Sequence, residues 1–321
     1  MSRKHTPFLQ NRAVGHIVAL LFFVGLGYAL FVAASGMNYI WKWNSVPKYF
    51  AYEQETTIEA PFDGTISIDG HTVTIKGTEE SKQYDISGYD KLKYKNGEKI
   101  YEGDTLGSKK SWTAGPLTNG LLTTLKISAL AALLSLLLGT VIAFMKLSDY
   151  QFLKDIATVY ITVIRGTPLL VQIFIFYFIV ATIFDIPRFY AGVISLGIFY
   201  GAYLAEVLRG AIQSIDTGQY EAAKSLGMNG WTTMRYIIMP QALKRALPAL
   251  VGEVIALVKD SSLVSVISIT DLTKVGREIV ANTFSPFETW IIVALIYFAI
   301  TFSLSIFGHR IEKRMRERGG Y

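Results

Sequence analysis

Cysteine is absent from the 321 residues, which excludes disulfides, thiolate metal sites and a cysteine nucleophile. Histidine is scarce: His5, His16, His71 and His309 are scattered and share no metal-ligand spacing. No G-x-x-x-x-G-K-[S/T] run occurs, so the chain has no phosphate loop of its own. Acidic residues are outnumbered by Lys and Arg, for a net charge of +6. In a polytopic membrane protein such an excess belongs to basic cytoplasmic segments, and it is better explained that way than by nucleic-acid binding.

Apolar residues are what the chain has in quantity. With 51% hydrophobic residues, 19 Phe and 18 Tyr, it is too apolar for an ordinary soluble domain. The first apolar run, Val14 to Met37, is too long for a signal-peptide core and closes without a clean cleavage site, which predicts a retained anchor helix. Further runs cover Leu121–Met145, Leu169–Phe184, Ala191–Ile212, Leu247–Ile269 and Phe287–Phe307. Each approaches the roughly 20 residues needed to cross hydrocarbon. The expected fold class is an all-α polytopic membrane protein of about six transmembrane helices.

The charges flanking these runs orient them. Arg3, Lys4 and Arg12 precede the first; Arg310, Lys313, Arg314, Arg316 and Arg318 follow the last; Lys224, Arg235, Lys244 and Arg245 lie between the fourth and fifth. With six spans all three segments fall on one side, so both termini and that loop are expected to be cytoplasmic. Residues 1–37 then form an N-terminal segment with its anchor helix, and 116–321 a five-helix core with a cytoplasmic loop at about 214–246. Residues 38–115 form an extracytoplasmic insert. Its stretches TTIEA, GTISIDG, HTVTIKG, QYDIS and KLKYKNGEKIY alternate in the β manner, with DG and NG turn signals between them. APFDGTISI and the later NGEKIYEGDTLG resemble the two halves of a biotinyl/lipoyl-like barrel or of the hybrid domain of secretion adaptors. No Met-Lys-Met modification site is present and the halves are far apart in sequence, so a hairpin-rich domain without cofactor is the simpler expectation.

The loop EAAKSLGMNGWTTMRYIIMP, Glu221 to Pro240, is polar and punctuated by glycine. Asp216 or Thr217 can cap a short helix over QYEAAKSL, Gly227 can end it in the left-handed conformation, and Asn229 can cap a second helix beginning near Trp231. Pro240, lacking an N–H, should bend or restart that helix. Ala222 and Ala223 give the first helix a face of little bulk, suited to entering a groove on a soluble partner.

Glu221, Ala222, Ala223, Gly227, Ile237 and Pro240, at their fixed spacing, resemble the EAA loop of ABC importer membrane subunits, with Met239 where Leu is usual. VIRGTPLLVQ, AYLAEVLRGAIQSI and VKDSSLVSVISITDLT resemble the polar-amino-acid branch of that family, and the likeness runs from about Leu117 to the C-terminus, excluding the insert. The resemblance implies a type I importer permease core in a bacterial inner membrane. It implies a second permease subunit, identical or not, and a cytoplasmic ATPase dimer that receives the EAA helix. It also implies an extracytoplasmic amino-acid-binding protein. ATP and Mg would be bound by the ATPase, leaving this chain with no cofactor, metal or catalytic residue.

Ionisable groups inside a membrane are costly and face a cavity or a partner. Glu206 and Arg209 share a face of the fourth span, Lys259 and Asp260 are expected near the middle of the fifth, and Arg165-Gly166-Thr167-Pro168 opens the third. A zwitterionic amino acid needs groups of both signs. Gln172, Tyr203, Glu206, Lys259, Asp260 and Ser261 are therefore candidates to line or flank a pathway; the competing reading is that the charges are structural pairs. Three other functions compete with this one. A membrane enzyme lacks a nucleophile and base at depth, a receptor would use the insert to bind ligand, and a permease could carry another small polar solute.

Overall fold

The computed structural model describes residues 12–37, 39–87, 89 and 91–317. Arg3, Lys4, His5 and Arg318, used above for orientation and inventory, lie outside the described residues. The chain divides into two compact units, Met1–Trp43 and Asn44–Tyr321.

The first unit is one helix, α1 (Arg12–Ser35), apolar on every face and exposed along nearly its whole length. Such a helix is stable in lipid, where the backbone bonds itself and no side chain needs water. After it, Trp41 and Trp43 stack at 5.8 Å, an aromatic pair of the kind found at membrane interfaces.

In the second unit the short α2 (Val46–Phe50) has Pro47 in its first turn, where a missing N–H costs nothing. It leads into β1 (Ala51–Glu59), β2 (Gly64–Asp69), β3 (Thr72–Lys76), β4 (Ser81–Asp85), β5 (Lys91–Leu92), β6 (Lys99–Ile100) and β7 (Thr105–Ala114). Strands β1 and β7 form an antiparallel ribbon, from Ala51↔Ala114 to a bulge at Ile58/Glu59, and β5 pairs with the far side of β7. The second sheet has the order β4-β3-β2-β6. Alternation decides its faces: Val73 and Ile75 are fully buried while Lys76 is exposed. They close on Ala60, Ile66, Ile86, Ile100 and Leu106 in a small core of the insert's own.

The two separated halves of the insert meet there. Ala60 N–H donates to the Asp104 carbonyl at 2.8 Å, Gly103 N–H returns a bond to the Ala60 carbonyl at 2.9 Å, and Gly64 pairs with Ile100. A Cβ at Gly64 would lie 2.6 Å from the Lys76 carbonyl oxygen, so the DG of the first half is held to glycine by the neighbouring strand.

The ribbon returns next to where it left. Gly115 N–H bonds the Phe50 carbonyl at 2.7 Å, and Tyr49 inserts among Leu117, Leu272, Val275, Ile279, Ile292 and Val293. The helices that follow are α3 (Pro116–Leu147), α4 (Gln151–Arg165), α5 (Leu169–Ile175) with a π turn over Phe176–Ala181, and α6 (Arg188–Gln213). Then come α7 (Thr217–Ser225), α8 (Gly230–Thr233), a π turn over Met234–Ile238, and α9 (Met239–Asp260) with a 3-10 turn over Ser261–Ile267. The chain closes with α10 (Leu272–Thr283) and α11 (Pro286–Glu317). Small residues set the closest approaches. A Cβ on Gly139 of α3 would meet Leu204 Cβ of α6 at 2.8 Å, one on Gly197 would meet Leu134, and one on Gly308 of α11 would overlap Val251 of α9.

Two of the expected spans differ in the structure, and length and composition alone do not reach the expected count of six. Among the described residues four helices are long and apolar enough to cross a membrane, Val14–Ser35, Pro116–Leu147, Arg188–Gln213 and Pro286–Met315, and a bent pair makes a fifth if it is one span. The third expected span is half of a broken pair, Gln151–Arg165 with Leu169–Ala181, bent by 107° at Gly166-Thr167-Pro168, because Pro168 disfavours helix at the residue before it. The fifth, expected over Leu247–Ile269, is α9: it starts at Met239, contains Lys244, Arg245, Glu253, Lys259 and Asp260, and stops at Asp260. Lys259 and Asp260 therefore sit at a helix end and not in mid-span.

Candidate functional site

The loop between α6 and α9 is built by its own side chains. Asp216 Oδ1 accepts the Gly218 N–H at 2.7 Å and caps α7. At the other end Gly227 takes φ +75°, its N–H bonding the Lys224 carbonyl at 3.0 Å and the Met228 N–H bonding that of Ala223 at 3.1 Å. These two bonds make a Schellman motif, which requires a left-handed residue at Gly227. Asn229 Oδ1 then accepts the Thr232 N–H at 2.8 Å and starts α8. Pro240 stands in the first turn of α9, where the helix restarts at Met239. The π turn Met234–Ile238 ahead of it absorbs the missing donor, and the Gln241 side chain bonds the Ile237 carbonyl at 2.9 Å.

This arrangement divides α7 into two faces. Ala223 is buried and Tyr220 half-buried, with burial raising the Tyr220 phenol above its ordinary pKa. Glu221, Ala222, Ser225 and Leu226 are exposed, Leu226 at 80%. The helix is tied to α9 through Gln241 Nε2, which donates to Gln219 Oε1 at 3.2 Å, and Arg245 of α9 donates to the Ser214 carbonyl at the end of α6. Ile238, Ala242 and Ala246 of the following segment pack with Ala205, Leu208 and Ile212 of α6 and with Ile215 just beyond its end.

A second cluster lies where α4, α6 and α9 face one another. Glu206 receives both a 3.0 Å bond from Arg209 Nε and a 2.8 Å bond from Arg209 Nη2, a bidentate pair. Arg165, at the break between α4 and α5, approaches the same carboxylate only to 3.9 Å, stays 44% exposed, and lies over the Tyr203 ring at 5.0 Å. Tyr203 contacts Phe199 and Tyr200, and the Tyr200 hydroxyl donates to Asp260 Oδ2 at 2.7 Å. Lys259 is exposed beside it. Tyr203, Glu206 and Asp260 are thus joined in one chain of contacts.

Gln172 and Ser261 are committed elsewhere. The Gln172 amide donates to the Ile164 carbonyl at 2.7 Å and to Thr167, bracing the bend, and the buried Ser261 hydroxyl donates to the Val258 carbonyl at 2.8 Å. Arg165 was not among the candidates, yet it joins the cluster, 3.9 Å from Glu206 and over the Tyr203 ring. The signal for it was the RGTP run, which forces a break and leaves the arginine at a helix end.

Residues 128–317 match the family described as binding-protein-dependent transport system inner membrane component. The glutamine transport system permease protein GlnP of Escherichia coli (strain K12) is 41% identical over 209 residues, 64% of this chain and 95% of that one. The arginine transport system permease protein ArtQ of Bacillus subtilis (strain 168) is 37% identical over 202 residues, 62% of this chain and 92% of that one. A solved amino acid ABC transporter with histidines superposes with a TM-score of 0.58 at 46% identity, covering 62% of this chain and 94% of that one. An inward-facing MetNI methionine ABC transporter shares the fold, with a TM-score of 0.56 at 17% identity over 62% of this chain and 96% of that one.

Proposed function

Because the chain belongs to the binding-protein-dependent transport system inner membrane components, a family of ABC importer permeases, we propose that it carries a polar amino acid across a bacterial inner membrane. Glutamine and arginine permeases among its relatives support that substrate class. ATP hydrolysis, with its Mg, resides on a separate cytoplasmic ATPase dimer. An extracytoplasmic protein delivers the amino acid, and a second permease subunit completes the pathway. Both termini and the loop at about 214–246 face the cytoplasm, and the insert faces outward, in keeping with the basic residues at those positions.

The observation that carries this reading is the construction of α7. It is an exposed short helix presenting Glu221 and Ala222, closed at Gly227, and bonded to α9 by Gln219–Gln241. Closure of an ATPase dimer beneath it would displace α7 as a unit, with Gly227 as the pivot and Ile237 and Pro240 at the entry to α9. The 22 residues of α9, about 33 Å of helix, carry the motion to Asp260 and its bond to Tyr200. Pro248 within α9 removes one helical bond and gives the rod a place to bend. Alternating access then follows from a shift of α9 against α6 and α11.

In the pathway, Arg165 offers a cation to the amino acid's carboxylate, while Glu206 and Asp260 offer anions to its ammonium. Tyr203 and Lys259 flank them, and Gln172 and Ser261 hold the two helix ends in place. The test is reconstitution of the chain with its ATPase in liposomes, measuring ATP hydrolysis with binding protein and a panel of amino acids and other small polar solutes. Stimulation by polar amino acids supports the reading. Stimulation by another solute class alone, or by none, refutes it.

A further inference from the structure

Behind the α7–α9 loop, helices α3, α6 and the α8–α9 segment enclose a groove of about 410 Å³. Its walls are apolar: Phe144 on α3, Ile212 on α6, Met239 and Leu243 on α9. Phe144 and Ile212 stand in the last turn of their helices, which end at Leu147 and Gln213, so the groove sits at the level where those spans leave the hydrocarbon. Trp231, 70% exposed, stands at the mouth with the exposed Tyr236 next to the lining, the aromatic signature of a membrane interface.

Arg235 is the only charged residue among those lining the groove. No carboxylate among the described residues lies within ion-pair distance of it; the guanidinium only overhangs Tyr236 at 5.7 Å. Arg235, Met239 and Leu243 follow one another at single-turn intervals, about 12 Å from first to last. An unneutralised cation therefore caps a greasy channel that runs toward the bilayer interior. That is the complement of an anionic headgroup with its acyl chain, and basic pockets between spans on the cytoplasmic side are where such headgroups bind.

We propose that this groove is a specific site for an anionic phospholipid of the cytoplasmic leaflet, its phosphodiester on Arg235 and one acyl chain along Met239, Leu243, Phe144 and Ile212. The assignment to that leaflet rests on the orientation given under the proposed function. A lipid seated there bridges α3 and α6 to the segment that links α7 with α9. Its headgroup charge would then set how firmly that segment is held.

The test uses the complete complex of this chain with its ATPase. Native mass spectrometry with phosphatidylglycerol and phosphatidylcholine as probes reads retained lipid, and ATP hydrolysis stimulated by the binding protein is followed on the same samples. Phosphatidylglycerol should be retained preferentially, and Arg235→Gln should lower its retention at least about fivefold, the factor for the ~1 kcal/mol of one basic side chain at an anionic surface. Arg235→Lys should restore most of it. Leu243→Trp, which fills the exposed wall, should reduce retention without touching the charge. Equal retention of the two lipids by the wild type overturns the proposal, as does undiminished retention in Arg235→Gln. So does lipid bound by the chain alone but expelled by the ATPase, which would make the groove a protein interface. Selective lipid retention without any ligand-stimulated hydrolysis would instead refute the importer reading and leave the site standing.

Discussion

Gly227 is the position at which backbone geometry and function can be separated most cleanly. Its φ is +75°, and a Cβ built there meets nothing within 4 Å. A substitution therefore creates no collision within the chain, and its cost is purely conformational. A non-glycine residue in the left-handed region costs about 1–2 kcal/mol, less for Asn and Asp, and a β-branched residue is a true outlier there. What stands against that cost is the pair of hydrogen bonds from Gly227 to Lys224 and from Met228 to Ala223. A penalty of about 1–2 kcal/mol shifts the ratio of closed to unwound helix end roughly 5–30-fold.

The expected order of ligand-stimulated ATP hydrolysis is thus Gly, Asn, Ala, Val, with expression and folding unchanged throughout. Asp has nearly the shape of Asn but adds a negative charge at a helix C-terminus, so Gly227→Asp should fall below Gly227→Asn by the ~0.3–1 kcal/mol of that dipole interaction. Wild-type coupling in Gly227→Val would refute the pivot. Equal loss in Asn and Val would show that the cost comes from a partner surface closing on this residue rather than from its backbone.

Tyr200→Phe removes the 2.7 Å bond to Asp260 and should lower stability in detergent by about 1.5–3 kcal/mol; an unchanged melting temperature would show that the contact contributes nothing. Gly139→Leu places atoms where Leu204 and Gly201 already stand, with overpacking costs upward of about 1–3 kcal/mol. Folded protein should be lost, whereas Gly210→Ala, with open space around it, should behave as wild type; similar yields from both would contradict the α3–α6 packing. Asp216→Ala should destabilise the start of α7 by about 1 kcal/mol, read as faster hydrogen exchange there, and unaltered exchange would deny the cap. Replacing the chain between Tyr52 and Thr113, which face each other in the ribbon, by an Asn-Gly turn should leave a core that inserts and folds, since Tyr49 stays in place; failure to insert would make the domain structural.

What was legible in the sequence was what local chemistry decides. Asp216, Gly227 and Asn229 punctuate α7 and α8 as their side chains and backbone preferences demand, and the long apolar runs became α1, α3, α6 and α11. What stayed hidden was set by partners distant along the chain. Helix α4, at 15 residues, is too short to span alone and carries Lys154 and Asp155, so no long apolar run marks it. Helix α10 holds Lys274, Arg277 and Glu278 and is stabilised by Asp271 and a bond from Leu272 to Thr124. The sequence distance between APFDG and NGEKIYEGD concealed their pairing, which β2 and β6 make directly, with the Ala60–Asp104 and Gly103–Ala60 bonds beside them. In the polar cluster, Glu206 and Arg209 were readable as an i, i+3 pair. The seat of Arg165 on Tyr203 depends on a 107° turn that no periodicity encodes.

The π turn at Met234–Ile238 has a consequence for how this loop tolerates length change. Each residue in a helix advances the chain by about 100° of azimuth, and a π turn stores one residue more than an α turn would. Deleting a single residue there would let the segment relax into ordinary helix and leave α7 at nearly the same azimuth around the axis of α9. A deletion in the regular helical turns that follow has no such reserve and would swing everything ahead of it by about 100°. The turn thus holds one residue of slack against loss and none against insertion, though none of its side chains need touch the partner.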